Sequence, residues 1–570
     1  MDIFDSCRAI SDYLVASDNV MARNELIKLL DYHLINDIEY SELVNHLIRE
    51  TGLYPYLNLN TASWQDRFAY NAFKSNVGKY EATLHREQSY LLKRLLDGDN
   101  IAVSAPTSFG KSFIIDAYIS IKKPSNVVII VPTIALTDET RRRLYKKFSD
   151  EYKIITTSDV EISNKNIFIF PQERAINYIN VLDSIDILII DEFYKASLLF
   201  DKERAPALLK AIIKLGEIAK QKYFLAPNIS EIKDNVFTSG MIFEDMLNFH
   251  TVYLEKHELY RKIGNDELKK SKCLMDILNK SNLKTLIYAG TYSQIEKVSN
   301  LLIEKLPIKE NKLLNTFADW LAVNYDANWN LINLARRGTG IHNGRLHRSL
   351  SQIQIKLFEE KEGFDNIIST SSIIEGVNTS AENVIIWRNR NGATKLNDFT
   401  YRNIIGRGGR MFKHFIGKIY LLEPPPEEEA TQLEIPFPDT ILGDIDENLY
   451  KESLTKEQVA KIILFKEEMN ELLGVESYDA LVKENVFQIS NSEFIKEIAC
   501  DMKKNPTDWN GLSYLNSENV NSWDRLLYKM INMQPGNWDI EYSKFVAFIK
   551  ILSQNWTKSI PELWRCPRIS

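Results

Sequence analysis

Apolar residues recur at helical spacing from the start of the chain to about Lys74, with Leu26, Leu29, Leu30 and Leu34 on one face and few strand signals between them. This stretch is predicted to be helical. From Leu84 to about Asn248 the pattern changes. Short β-branched runs (Ile101–Ser104, Val127–Val131, Ile167–Phe170, Ile185–Ile190 and Tyr223–Ala226) alternate with amphipathic stretches, as crossovers over a parallel sheet require. A second block of the same kind runs from about Lys256 to Leu422, with strands expected at Thr285–Ala289, Asn366–Ser369, Val384–Trp387 and Lys418–Leu422. After it, three consecutive prolines (Pro424 to Pro426), the acids Glu427 to Glu429 and then Pro436 and Pro438 can continue neither helix nor strand and read as a linker. Beyond the linker the helical period returns, together with five of the nine tryptophans (Trp509, Trp523, Trp538, Trp556 and Trp564), a cluster that could stack bases but better suits the aromatic core of a small helical domain.

At 570 residues the chain exceeds one hydrophobic core, and these shifts divide it into 1–80 (helical accessory region), 81–252 and 253–424 (two α/β domains), 425–440 (linker) and 441–570 (helical). The expected fold class is therefore α/β, two tandem parallel-sheet domains with helical extensions at both ends. A hydrophobic content of 44% and a charged content of 26% belong to an ordered globular protein. The formal net charge of −7 repels a polyanion over the whole surface, so any nucleic-acid contact must be local. Cys7, Cys273, Cys500 and Cys566 lie far apart without metal-ligand spacing, so neither a zinc nor an iron–sulfur site is expected. The N-terminus lacks a basic and apolar leader and no run approaches membrane-spanning length, so a cytoplasmic location without membrane contact is expected.

Candidate chemistry begins directly after the run Ile101–Ser104. Ala105, Pro106, Thr107, Ser108, Phe109, Gly110, Lys111 and Ser112 follow it and lead into a helical stretch, which is the strand–loop–helix context of a phosphate-binding P-loop. In that reading backbone N–H groups wrap the phosphates of ATP, Lys111 reaches the β and γ oxygens, and the Ser112 hydroxyl ligates Mg²⁺. The apolar strand Ile187–Ile190 ends in Asp191 and Glu192, which places a Mg²⁺-holding carboxylate beside one that orients or deprotonates the attacking water. The two α/β blocks are then RecA-like.

Further segments, in order, resemble the superfamily-two helicases of the DExH/DEAD-box kind over roughly residues 84–422. Leu84 to Gln88 is similar to the adenine-reading element, implying that the Gln88 amide pairs with adenine. The segment Val131–Leu136 with Thr133, the basic run Arg141 to Arg143 with Lys146 and Lys147, and Phe170 to Arg174 resemble the elements that grip a nucleic-acid backbone, which implies roles for Thr133, Arg141 and Arg174. In the second block Ile368 to Asn378 is similar to the family's ATSTLAEGVN segment, implying that Thr370 contacts the strand while Glu375 and Gly376 lie near the nucleotide. Tyr401 to Arg410 resembles QxxGRxGR, implying that Arg407 and Arg410 reach across the cleft to the γ-phosphate. Gly340 to Leu346 is similar to an element of the branch containing exosome-associated and archaeal repair helicases, where His342 reads as a packing residue.

Two departures stand out. Tyr194 occupies the position usually held by His or Asp, and Leu225, Ala226, Pro227 and Asn228 stand where Ser-Ala-Thr is expected. The divergent coupling segments and small helical flanks also resemble helicase subunits of bacterial antiphage operons of the Hachiman type, which implies a partner nuclease from the same operon. The sequence thus leads to an ATP-dependent helicase or translocase acting on single-stranded or overhang-bearing nucleic acid, DNA before RNA. The alternative is a nucleic-acid-sensing ATPase clamp that does not unwind. A metabolic P-loop kinase has no use for Arg407 and Arg410 in a second α/β block.

Overall fold

The computed structural model describes residues 2–438 apart from 158–159, 176–177, 179–180, 282, 376–380 and 410–413, and beyond them 441, 454–483, 492–510, 517–524, 526–527, 529, 541–558 and 562–563. It resolves into two compact units. One comprises Met1–Leu314 with Leu334–Pro436, the other Asn315–Asn333 with Phe437–Ser570.

The N-terminal helices start where capping chemistry dictates. Asp2, Asp18 and Ser41 accept N–H bonds from Asp5, Met21 and Val44, at the heads of helices Ile3–Val15, Asn19–Ile35 and Glu42–Glu50, and Ser63 forms a reciprocal capping box with Asp66 on Trp64–Ala72. Leu26, Leu29 and Leu30 are fully buried as their spacing predicts, whereas Leu34 is 59% exposed. The last turn buries His33 instead, whose Nδ1 lies 3.0 Å from the Ile38 carbonyl. These helices share one apolar cluster with the first sheet, and the Tyr56 hydroxyl donates to the Thr251 carbonyl at 2.8 Å. An antiparallel hairpin, Lys74–Val77 with Tyr80–Thr83, then leads into helix Arg86–Asp97.

The first sheet contains β1 (Ile101–Ser104), β2 (Asn126–Ile130), β3 (Lys153–Ile155), β4 (Asn166–Phe170), β5 (Ile187–Ile190), β6 (Lys222–Ala226) and β7 (Ile242–Asp245). All pairings are parallel in the order β7-β1-β6-β5-β2-β4-β3. Strands β1, β4 and β5 are buried at every position, which is why they read as continuous apolar runs rather than alternating ones. The second sheet contains β8 (Tyr253–Glu258), β9 (Thr285–Tyr288), β10 (Thr339–His342), β11 (Asn366–Ser369), β12 (Asn383–Ile386) and β13 (Ile416–Leu421), again parallel, in the order β8-β13-β12-β9-β11-β10. Mixed α/β architecture with two parallel sheets and a helical N-terminal region is thus observed. The carboxyl ends of parallel strands are where such sheets bind ligands.

The segment expected as a linker does not run free. Gln432–Leu433 pairs in parallel with Glu231–Ile232, and the Thr431 carbonyl accepts from the Ser230 N–H and hydroxyl. In the second unit the apolar cluster is Phe465, Met469, Tyr478, Ile495 and Ala499, so the described tryptophans are not its core. Trp509 and Trp523 direct Nε1 to Asp501 and the Ser517 carbonyl at 2.8 and 2.9 Å, and Trp556 is 83% exposed. An indole held by one polar partner at a surface satisfies its N–H without being enclosed. Trp538 and Trp564 lie outside the described residues. Among the described residues no helix is long and apolar enough to cross a membrane.

Candidate active site

The loop after β1 is built from its backbone outward. Ala105 extends the sheet, its N–H donating to the Ala226 carbonyl at 3.0 Å. Pro106 then starts a tight turn, Thr107–Phe109, and Gly110 adopts φ 79° and ψ 37°, the left-handed conformation that costs a glycine least. That reversal launches helix Lys111–Lys122, so its first N–H groups point back toward the end of β1. Four contacts hold the loop in shape. Lys111 Nζ donates to the Ala105 carbonyl at 3.1 Å, Gln88 Nε2 to the Phe109 carbonyl at 2.6 Å, and Thr251 Oγ1 to the Ser108 carbonyl at 3.0 Å. The fourth comes from the second α/β domain, where the Gly406 carbonyl accepts from Thr107 Oγ1 at 2.7 Å.

Asp191 and Glu192 extend β5 past its last paired residue. Asp191 Oδ1 accepts the Glu192 N–H at 3.0 Å, and Glu192 sits at φ 57°, ψ 40°. A non-glycine residue in that region carries strain of about 1 kcal/mol or more, which concentrates at functional positions. Burial and the adjacent Glu192 charge raise the Asp191 carboxyl above the usual range, against the pull of Lys111. Burial in turn lowers the Lys111 ammonium, while Glu192 and Asp191 oppose the shift. Arg407 enters the same field. Burial lowers its guanidinium, and Glu192, Glu139, Tyr194 and Asp191 counter that effect. Asp191, Glu192 and Ser112 offer oxygen donors, two of them carboxylates, and that is the donor chemistry a hard cation such as Mg²⁺ takes.

Gln88 is 2% exposed and its amide orientation is fixed, because Oε1 accepts the His85 N–H at 3.0 Å while Nε2 donates to Phe109. One further N–H and one further lone pair belong to that amide. It borders a cavity of 220 Å³ whose walls include Pro55, Tyr70, Thr83, Leu84 and Phe113.

The departures of the sequence form contacts between the two α/β domains. Asn228 has φ 51°, and its Nδ2 donates to Asn403 Oδ1 at 2.8 Å. Asn403 lies on helix Asp398–Ile405, which runs directly into Gly406 and Arg407. The Tyr194 ring meets Phe399 of that helix at 4.8 Å and Phe200 at 5.2 Å. Sequence reading did not single out Asn403, Thr251 or Phe399. Asn403 occupies the first position of the QxxGRxGR pattern, and that was its available signal.

The remaining candidates fall in different places. Thr133 caps helix Ile134–Phe148 by accepting the Leu136 N–H at 3.2 Å, and it borders a second cavity of 660 Å³. Arg141 Nε stands 4.0 Å from Asp138, and Arg174 is exposed. The rest of the basic run is divided. Arg143 and Lys147 turn away from the surface to the buried carboxylate of Asp116, and Arg143 also donates to the Ser112 carbonyl at 3.3 Å, so these two brace the P-loop helix instead of facing a strand. Thr370 is 8% exposed and its hydroxyl donates to Ser372 Oγ at 3.2 Å. Ser372 Oγ also lies 3.0 Å from His342 Nδ1. Burial and the Arg407 charge lower His342 to about 4, so the ring is neutral near pH 7 and suits packing. Glu375 lies in the short helix Ser372–Glu375, and Gly376 and Arg410 lie outside the described residues.

Residues 1–67 match the anti-bacteriophage protein B N-terminal domain, and residues 85–225 match the DEAD/DEAH box helicase family. The chain is 34% identical over 423 residues to Anti-bacteriophage protein B of Escherichia coli (strain K12), covering 71% of this chain and 56% of the relative. It is 24% identical over 411 residues to a probable ATP-dependent helicase of Methanocaldococcus jannaschii (65% and 45% covered) and 22% identical over 396 residues to DNA polymerase theta of Caenorhabditis elegans (61% and 24% covered). The chain therefore spans from about a quarter to just over half the length of these relatives. Residues 85–225, which hold the loop after β1 and the acidic pair, thus match the DEAD/DEAH box helicase family directly behind a segment that matches the anti-bacteriophage protein B N-terminal domain.

Proposed function

We propose that the protein is an ATP-hydrolysing helicase or translocase of antiphage defence, acting on single-stranded or overhang-bearing DNA in preference to RNA. The observation that carries this reading is the docking of the second domain's Gly406–Arg407 loop on the P-loop, through the Thr107–Gly406 bond and the mutual field of Arg407, Glu192 and Asp191. A simple P-loop kinase has no such second block.

Adenine enters the cavity beside Gln88, whose remaining N–H and lone pair match N7 and N6 of the base. Ala105, Pro106, Thr107, Ser108, Phe109 and Gly110 present loop N–H groups and the helix terminus to the phosphates. Lys111 exchanges the Ala105 carbonyl for phosphate oxygens. Ser112 and Asp191 would hold Mg²⁺, which would supply charge neutralisation on the phosphate oxygens. Glu192 orients the attacking water and takes its proton. Arg407, with Arg410, stabilises the charge spreading over the transferred phosphoryl group, and Glu375 and Gly376 border the nucleotide. Thr133, Arg141, Arg174 and Thr370 hold the strand by its backbone. Domain closure on ATP and reopening after hydrolysis move it, because ATP favours the closed state.

The N-terminal match and the relative from Escherichia coli support the defence role, in which the helicase restrains a partner nuclease until foreign or damaged DNA engages it. Copurification of a nuclease encoded in the native operon tests that part. A second reading, an ATP-dependent clamp that senses DNA without unwinding, is favoured by the Asn228–Asn403 bond and the Tyr194–Phe399 contact, which replace the usual coupling groups. The deciding experiment measures ATP hydrolysis with single-stranded DNA, overhang duplex and RNA, with Lys111→Ala as the blank, followed by strand displacement. Stimulation with displacement supports the motor, stimulation without displacement supports the clamp, and hydrolysis indifferent to every polymer refutes both.

A further inference from the structure

The 660 Å³ cavity between the two α/β domains is lined on one side by Thr133, Asp138 and Arg142 and on the other by His342, Arg348 and Gln352. One acid is central to it. The Asp138 carboxylate, on helix Ile134–Phe148, receives Arg348 Nη2 in a close ion pair, and Gln352 Nε2 donates to the same Oδ2 at 3.2 Å. Arg348 and Gln352 are one turn apart on helix Arg348–Glu359 of the second domain, so both side chains project from one face. Arg348 Nη2 also donates to the Ile134 carbonyl at 2.9 Å, and Arg141 Nε approaches Asp138 Oδ1 at 4.0 Å. A carboxylate surrounded by two arginines and an amide donor has the environment of a phosphate oxygen. It lies in the cavity that Thr133 borders, where the proposed function puts the strand.

We propose that Arg348 and Gln352 form a nucleic-acid phosphate site, and that Asp138 fills this site as an internal anion when no strand is present. The proposal rests on the nucleic-acid-binding reading and adds the residues and the competition. Strand entry displaces Asp138 from Arg348, so the interdomain ion pair opposes binding and raises the strand concentration at which the protein responds. Asp138 and Arg348 are partly exposed, at 30% and 40% of their side chains, so the competition is modest. Removing it tightens binding by about two- to fivefold, the range an accessible ion pair supports.

The test uses the full chain and a fluorescein-labelled oligothymidylate, with anisotropy titrations over a series of salt concentrations. Asp138→Asn, which preserves shape, is expected to tighten binding about two- to fivefold. Arg348→Ala is expected to weaken it and lower the salt slope by about one. In the Arg348→Ala background the gain from Asp138→Asn is expected to disappear, which separates this site from a general loss of negative charge. Gln352→Ala, which leaves the ion pair in place, weakens binding by a smaller factor. If the wild-type chain binds the strand while Asp138→Asn binds no tighter, or gains equally with Arg348 absent, the inference is overturned and the nucleic-acid reading stands. If the wild-type chain binds no strand, both fall.

Discussion

Gly406 joins the helix carrying Asn403 to Arg407, and its surroundings allow a quantitative perturbation. A methyl group there lies 2.7 Å from Thr107 Oγ1 and must retreat by about 0.7 Å to reach the 3.4 Å of ordinary contact. The nearest atom it meets belongs to the P-loop turn, the next is the Arg402 carbonyl at 3.0 Å, and the neighbouring residue is Arg407, so much of the displacement falls between the phosphate-binding loop and the guanidinium. Misplacement of reacting groups by about 1 Å costs on the order of a hundredfold in rate. Gly406→Ala is therefore expected to lower kcat for strand-stimulated ATP hydrolysis by ten- to a hundredfold, with KM for ATP changed much less. Thr107→Ala alone removes one hydrogen bond worth about 0.5–1.5 kcal/mol, a loss of roughly tenfold or less. In the double variant the nearest obstructing oxygen is absent and only the Arg402 carbonyl remains close, so kcat should climb part of the way back toward the level of Thr107→Ala. Steady-state phosphate release at saturating oligothymidylate measures all three. A double variant no faster than Gly406→Ala, or a Gly406→Ala protein with full kcat, would refute the argument that this contact seats the arginine.

Other outcomes follow from the same geometry. Arg407→Ala is expected to reduce kcat by about a thousandfold or more while a fluorescent ATP analogue still binds within a few-fold of wild type, because the group acts on the transition state; an equal loss of binding would contradict this. Gln88→Ala should raise KM for both nucleotides, because the loop loses the Phe109 bond, and raise it about five- to a hundredfold further for ATP than for GTP, reflecting one buried polar pairing of about 1–3 kcal/mol; equal shifts for both nucleotides would remove Gln88 from base recognition. His342 titrates near 4 when folded, against 6.5 for the unperturbed ring, so the unfolded chain takes up the proton first on acidification. The stability contributed by the neutral ring is complete above about pH 6.5 and is lost as pH falls toward 4, at about 1.4 kcal/mol per unit. The thermal midpoint should fall less between pH 7 and pH 5 in His342→Gln than in wild type, and equal falls would show that other groups govern the acid response.

The P-loop, the acidic strand end and most central strands were legible because each depends on contiguous residues. Strands β1, β4 and β5 are enclosed on both faces, and enclosure demands unbroken apolar runs. The strands that escaped notice, β3, β7, β8 and β10, each close one edge of their sheet. Strand β8 carries Glu255, Lys256, His257 and Glu258 because one of its sides is unpaired, and no periodic signal survives that mixture. The basic run after Thr133 was read as one surface, yet Arg143 and Lys147 serve Asp116, a residue 27 and 31 positions away in sequence. Charge type alone does not reveal which partner the fold will bring near.

The sequence by itself determined what local backbone chemistry controls. Gly110 permits the left-handed step that launches the P-loop helix, side-chain oxygens at Asp2, Asp18, Ser41 and Ser63 start the N-terminal helices, and the run Ile187–Ile190 brings Asp191 and Glu192 to a strand end. Only the tertiary structure decided how the unusual residues are used. Asn228 finds Asn403 across 175 positions, Tyr194 finds Phe399, Thr107 finds Gly406 across 299 positions, and Asp138 finds Arg348 across 210. Each of these pairs depends on how the two parallel sheets and their crossovers pack, and sheet order is set by the burial of all the strands together, not by the residues that meet.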